Sequence, residues 1–73
     1  MRDWMRMARK RRGLSLEVAA ARIGVTVGYL SMIERGLRMD SMSLEFAVRV
    51  AGALGLPLDN VIRWEKMKNG RYV

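Results

Sequence analysis

Glycines at positions 13, 24, 36 and 55 interrupt this chain so regularly that no long continuous element can form. Each follows a segment of helix-compatible residues, where a glycine supplies the left-handed residue that closes a helix. Ser15, Thr26 and Ser43 stand a few positions beyond the first three glycines. Each hydroxyl can accept a hydrogen bond from the free amides of the next helix start. After Gly55, Pro57 and Leu58 open the last segment, since proline is tolerated in a first turn. The pattern predicts five helices, over about 2–12, 16–23, 27–35, 44–54 and 58–68. Arg, Met, Ala, Leu and Glu dominate these segments and period-two alternation never persists, which disfavours strands. In the fourth segment Leu44, Ala47, Val48, Ala51 and Leu54 recur at helical spacing and are expected to face the core. Residues 69–73 are expected to fray.

Seventy-three residues suffice for one domain, expected over 1–73, whose core is small for its surface. Extra stability cannot come from disulfides, because cysteine is absent, and histidine is absent too. A zinc site built from sulfur and imidazole is therefore excluded, no metal or other cofactor is expected, and dimerisation remains as a route to stability. The lack of cysteine fits a reducing, cytoplasmic location. No stretch approaches the roughly 18 consecutive apolar residues of a membrane span, and no apolar run follows the basic start as in a signal peptide.

The formal charge is +7, with fourteen Lys and Arg against seven acids. Solubility alone can account for such an excess, but it also points to a polyanionic partner, nucleic acid or a lipid surface. The charge is uneven. Arg2, Arg6, Arg9, Lys10, Arg11 and Arg12 crowd the start, and Arg63, Lys66, Lys68 and Arg71 form a second group, whereas residues 40–60 are slightly acidic. A membrane-surface helix would need one long amphipathic run, which the glycines break. The acids form no recognisable catalytic pair, and nucleophile systems built on cysteine or histidine are impossible, so no enzyme is expected.

Residues 16–35 form one unit. The second helix ends at Gly24 and the third begins after Thr26, which leaves room only for a tight corner. Helices joined so closely cross steeply, and Ala20 is small enough to lie between them. Ala19, Ile23, Val25, Leu30 and Ile33 then close the corner from inside. Val27, Gly28, Tyr29, Ser31, Met32 and Arg35 remain on the outer face of the third helix, a shape that fits the major groove of duplex DNA. Most of the seven methionines are expected to fill the core, with Met39 and Met42 set apart in a loop.

The run GLSLEVAAARIGVTVGYLSMIERG, followed by ALGLPLDNVI, resembles the Cro and phage-repressor (XRE-type) class of helix-turn-helix regulators. Ala20, Gly24, Leu30, Ile33, the ending Ile33-Glu34-Arg35-Gly36 and Leu54-Gly55-Leu56 carry the resemblance, which spans about 5–63. It implies an all-α, five-helix, lambda-repressor-like DNA-binding domain with its helix-turn-helix unit at about 16–35. By the same resemblance Val27, Gly28, Tyr29 and Met32 face base edges. Thr26, Ser31, Arg35 and Arg38 meet phosphates, and Arg9 and Glu34 form an enclosed pair tying the first helix to the third. Leu58 and Val61 pack inward on the fourth helix. Ile62 and Trp64, bordered by Leu56 and Arg63, are expected to meet a second copy, although Trp64 can instead fold back onto the monomer core.

The resemblance implies a sequence-specific regulator of double-stranded DNA, a repressor acting as a homodimer on a palindromic operator. An antitoxin that also binds a toxin, and an adaptor of the same fold that binds only protein, are the alternatives. Four departures from the family pattern bear on this. Leu16 stands where a phosphate-bonding glutamine is usual. Ala19 stands where a bulky apolar residue is common, so Trp4, Met7 or Tyr29 must fill that space. The loop at 37–42 is longer and lacks proline. Val27, Gly28 and Met32 have no side chain able to bond guanine or adenine at two points, which leaves thymine methyls, Tyr29 and DNA shape as means of readout.

Overall fold

The computed structural model describes residues 1–67, and five helices run through them. They are α1 (Asp3–Arg11), α2 (Leu16–Ile23), α3 (Val27–Glu34), α4 (Leu44–Leu54) and α5 (Leu58–Lys66). Three ends differ by one residue from expectation, because Arg2 and Arg12 flank α1 as its caps and Arg35 closes α3. The last helix, α5, is expected to reach 68 but closes at Met67. The expected fraying at 69–73, and Lys68 and Arg71, lie outside the described residues.

The helix starts follow from hydroxyl chemistry. Ser15 Oγ accepts from Val18 N, Thr26 Oγ1 from Tyr29 N and Ser43 Oγ from Phe46 N, each at 3.1 Å. Each bond satisfies an amide that the helix itself leaves without a partner. Two helix ends depend on glycine in the left-handed region, Gly24 at φ 93° and Gly55 at φ 66°. A Cβ at Gly24 would also lie 2.7 Å from Arg49 Nη2. That arginine donates to the Ile23 carbonyl from Nε (3.0 Å) and Nη2 (2.6 Å), and its guanidinium lies 5.3 Å from the centroid of the Phe46 ring. Arg49 thus joins α4 to the carbonyl end of α2, where a cation also favours the helix dipole.

The main core unites Met5 of α1, Ala19, Ala20 and Ile23 of α2, Leu30 and Ile33 of α3, and Phe46, Val50 and Leu54 of α4. Complete burial of a residue such as Leu30 or Ile33 contributes about 1.5–3 kcal/mol. Of the three bulky residues proposed to offset the small Ala19, only Trp4 packs against this cluster, while Met7 and Tyr29 are exposed. A smaller cluster of Ala47, Ala51 and Val61 seats α5 on α4, with Leu58 packed against it.

The inner face of α4 differs from the expected one. Leu44 and Val48 are 63% and 50% exposed, while Phe46, Ala47, Val50, Ala51, Ala53 and Leu54 are buried. Two helical stripes compete along this segment, and the helix turns the one with Phe46 and Val50 toward α2 and the core. The loop methionines also correct an expectation. Met39 and Met42 pack against the core, whereas Met1, Met7 and Met32 are exposed. Met39 adopts φ 61°, the one left-handed residue other than glycine among the described residues.

Candidate nucleic-acid interface

The α2 and α3 axes are bent 99° to one another, with Gly24, Val25 and Thr26 between them. Ala20 is fully buried at this corner, and the amides of both Gly24 and Val25 donate to its carbonyl, at 2.8 and 3.0 Å. A methyl side chain at this point lets the helices approach. With Leu30 and Ile33 buried, the opposite side of α3 must face outward. Val27, Gly28, Tyr29 and Met32 form that exposed strip, and a Cβ built on Gly28 meets nothing within 4 Å. The four residues expected to face bases therefore lie together on one open helix face.

The residues expected to meet phosphate lie around its edges. Thr26 marks the start of α3, and its hydroxyl is engaged as the cap. Ser31 is half-buried on the flank, Arg35 is exposed at the closing turn, and Arg38 is exposed in the loop beyond. Arg38 Nη1 donates to the Leu37 carbonyl at 3.3 Å. A protruding helix of this width, with cations beside an uncharged strip, suits the major groove with its phosphate walls.

Two buried arginines hold α3 in place. Arg9 Nε and Nη2 donate to the two Glu34 carboxylate oxygens at 2.8 and 3.3 Å, and Nη1 donates to the Leu14 carbonyl at 2.9 Å. The pair is enclosed, with side chains 10% and 5% exposed, so it differs from a surface ion pair of little worth. Arg2 is the second, and its side chain is 1% exposed. It donates from Nη1 to the carbonyls of Ile33 (2.9 Å) and Arg38 (3.2 Å), and from Nη2 to that of Met39. Its Nε and Nη2 also donate to Glu65, at 2.6 and 3.1 Å. The end of α3, the loop carrying Arg38, and α5 thus converge on one guanidinium.

Arg2 and Arg49 escaped the sequence reading, which placed Arg2 in the basic cluster at the start of the chain. Neither carries a local signal, because the carbonyls they satisfy lie more than 25 positions away. Burial of Arg2 and Arg9 leaves Arg6, Lys10, Arg11 and Arg12 as the exposed cations of that cluster.

The residues expected at a twofold interface divide between two grooves. Ile62 lines one between α4 and α5, with Leu44, Ala47 and Lys66. Leu56 and Trp64 line another between α1 and α5, with Trp4 and Met7. There the half-buried Trp64 folds back on Trp4, with ring centroids 5.8 Å apart and ring planes at 32°. Trp4 is itself fixed, since its Nε1 donates to Glu65 Oε2 at 3.2 Å. Arg63 is exposed and donates to Asn60 Oδ1 at 3.1 Å.

A family model described as helix-turn-helix matches residues 5–61, from the first turn of α1 into α5. No curated protein and no solved structure matches the chain. Among the described residues no single helix is long and apolar enough to cross a membrane. The matched span contains the steep corner, the exposed α3 strip and the Arg9–Glu34 pair, and the chain belongs to the helix-turn-helix family of DNA-binding regulators of the Cro and phage-repressor (XRE) type.

Proposed function

We propose that this protein is a sequence-specific repressor that binds a palindromic operator as a homodimer, with α3 of each copy in a major groove. The observation that carries this reading is the exposed strip of Val27, Gly28, Tyr29 and Met32, flanked by Ser31, Arg35 and Arg38 on a helix whose inner side is buried. Phosphate contacts from the flanks set position, and the strip meets base edges. Its side chains are apolar apart from the Tyr29 hydroxyl, so readout falls on thymine methyls and groove shape.

The dimer reading is supported by the exposed apolar residues Leu44, Val48 and Ile62 on α4 and α5. Leu44 and Ile62 line the same groove, and Val48 follows Leu44 by one helical turn. Ile62 is therefore the anchor of the proposed interface, with Leu44 and Val48 beside it and Arg63 at its border. Leu56 and Trp64 belong to the α1–α5 groove.

Competition binding with a duplex spanning the protein's own promoter tests the regulatory reading. The expected result is that random duplex of equal length competes at least about a thousandfold less well, the lower end of the range for specific regulators. Equal competition by both duplexes excludes a sequence-specific repressor of its own promoter.

A further inference from the structure

Beside the flank of α3 that carries Ser31 and Arg35 lies a hollow of about 210 Å³, which Arg6 of α1 and Met1 also line. Arg9 and Glu34 also line it, but their bidentate pair leaves little net charge there. Leu16, at the start of α2, brings only methyl and methylene groups to the rim. The Arg6 and Arg35 side chains are exposed, and neither makes a hydrogen bond or ion pair among the described residues. Uncommitted guanidinium groups from α1 and from the closing turn of α3 thus line one concave space together with Ser31.

This is the chemistry of an oxyanion site. Guanidinium groups present paired donors that match phosphate oxygens, and a serine hydroxyl adds a donor. At roughly 30 Å³ per water, the hollow has room for a phosphate group with a few waters. It also borders the base-facing strip, where a helix in a major groove meets a sugar–phosphate strand.

We propose that this hollow holds one backbone phosphate of the bound duplex, and that Arg6 is a phosphate ligand acting together with Arg35 and Ser31. The proposal rests on the reading that α3 enters the DNA major groove. It adds a residue from α1 to the interface and places Arg6 and Arg35 on the same phosphate.

Fluorescence anisotropy with operator and random duplexes across a salt series tests it, using wild type, Arg6→Ala, Arg6→Lys and Arg11→Ala. Arg11 is the control, because it lines the α1–α5 groove instead. Arg6→Ala is expected to weaken both duplexes alike and to reduce the slope of log K against log salt by about 0.9, the loss of one phosphate contact. Arg6→Lys is expected to keep the slope, and Arg11→Ala to leave it unchanged. A single neutral methylphosphonate, moved along the duplex, then locates the contact. At one position it should weaken wild type strongly but add little to the loss in either Arg6→Ala or Arg35→Ala. A wild-type slope in Arg6→Ala, or different phosphates sensed by Arg6 and Arg35, overturns the shared site while leaving α3 binding intact. Wild-type binding that is flat with salt removes the DNA reading and this inference together.

Discussion

Arg2 shows how far the role of a residue can depart from its local sequence. Within a basic run it has the look of a solvated cation, yet it is enclosed by three backbone carbonyls and Glu65. Arg2→Ala removes the cation from this enclosed site and leaves the carbonyls without that donor. The expected loss is about 3–5 kcal/mol in urea unfolding, as for breaking a buried ion pair. A loss below about 1 kcal/mol, ordinary for an exposed pair, shows that the clasp is open in solution. Arg9 differs, because the family resemblance foretold its pairing with Glu34 and the geometry bears that out. On α3, Tyr29 and Met32 are exposed beside each other on one helix face. If they touch thymine methyls, replacing an operator thymine by uracil removes the contact without changing the base pairing. The expected loss is about 0.8 kcal/mol per methyl, roughly fourfold in affinity. Unchanged affinity at every thymine assigns readout to groove shape instead.

At the scale of helices, starts and stops were legible because they depend on local chemistry. A serine or threonine hydroxyl reaches an amide three residues on, and a left-handed closing residue favours glycine. Gly24→Ala is expected to lower stability by roughly 1–2 kcal/mol from left-handed strain, and to push Arg49 off the Ile23 carbonyl. An unchanged urea midpoint contradicts both effects. Helix orientation was less legible. Apolar spacing on α4 permits either Leu44 and Val48 or Phe46 and Val50 to face inward, and packing against α2 selects the latter. The same spacing was decisive on α3, since the corner with α2 leaves only one inward face. That explains why the exposed α3 strip could be read residue by residue while the clasps behind it could not. Arg35, at the closing turn of α3, is expected to position the helix without reading sequence. Arg35→Ala should therefore weaken operator and random DNA by the same factor. A selective loss on operator assigns Arg35 a base contact.

For the molecule as a whole, the exposed apolar side chains on α4 and α5 set the proposed assembly. A double variant with Leu44→Glu and Ile62→Glu would place like charges across a symmetric contact. Sedimentation is expected to show a dimer for wild type on operator DNA and a monomer for the variant, with helical content retained by circular dichroism. A variant that dimerises normally moves the interface elsewhere, and the Trp4–Trp64 groove is then the next surface to vary. Two copies joined through α4 and α5 would present their α3 helices to successive major grooves, about 34 Å apart along the duplex. Selection from a random duplex pool by the wild-type protein examines the exposed α3 strip and its symmetric pairing together. The expected product is an inverted repeat whose half-site centres lie about 10 base pairs apart and whose recovery is lost in Tyr29→Ala with Met32→Ala. Recovered duplexes with no shared sequence, or an inverted repeat still selected by that double variant, contradict sequence reading by α3.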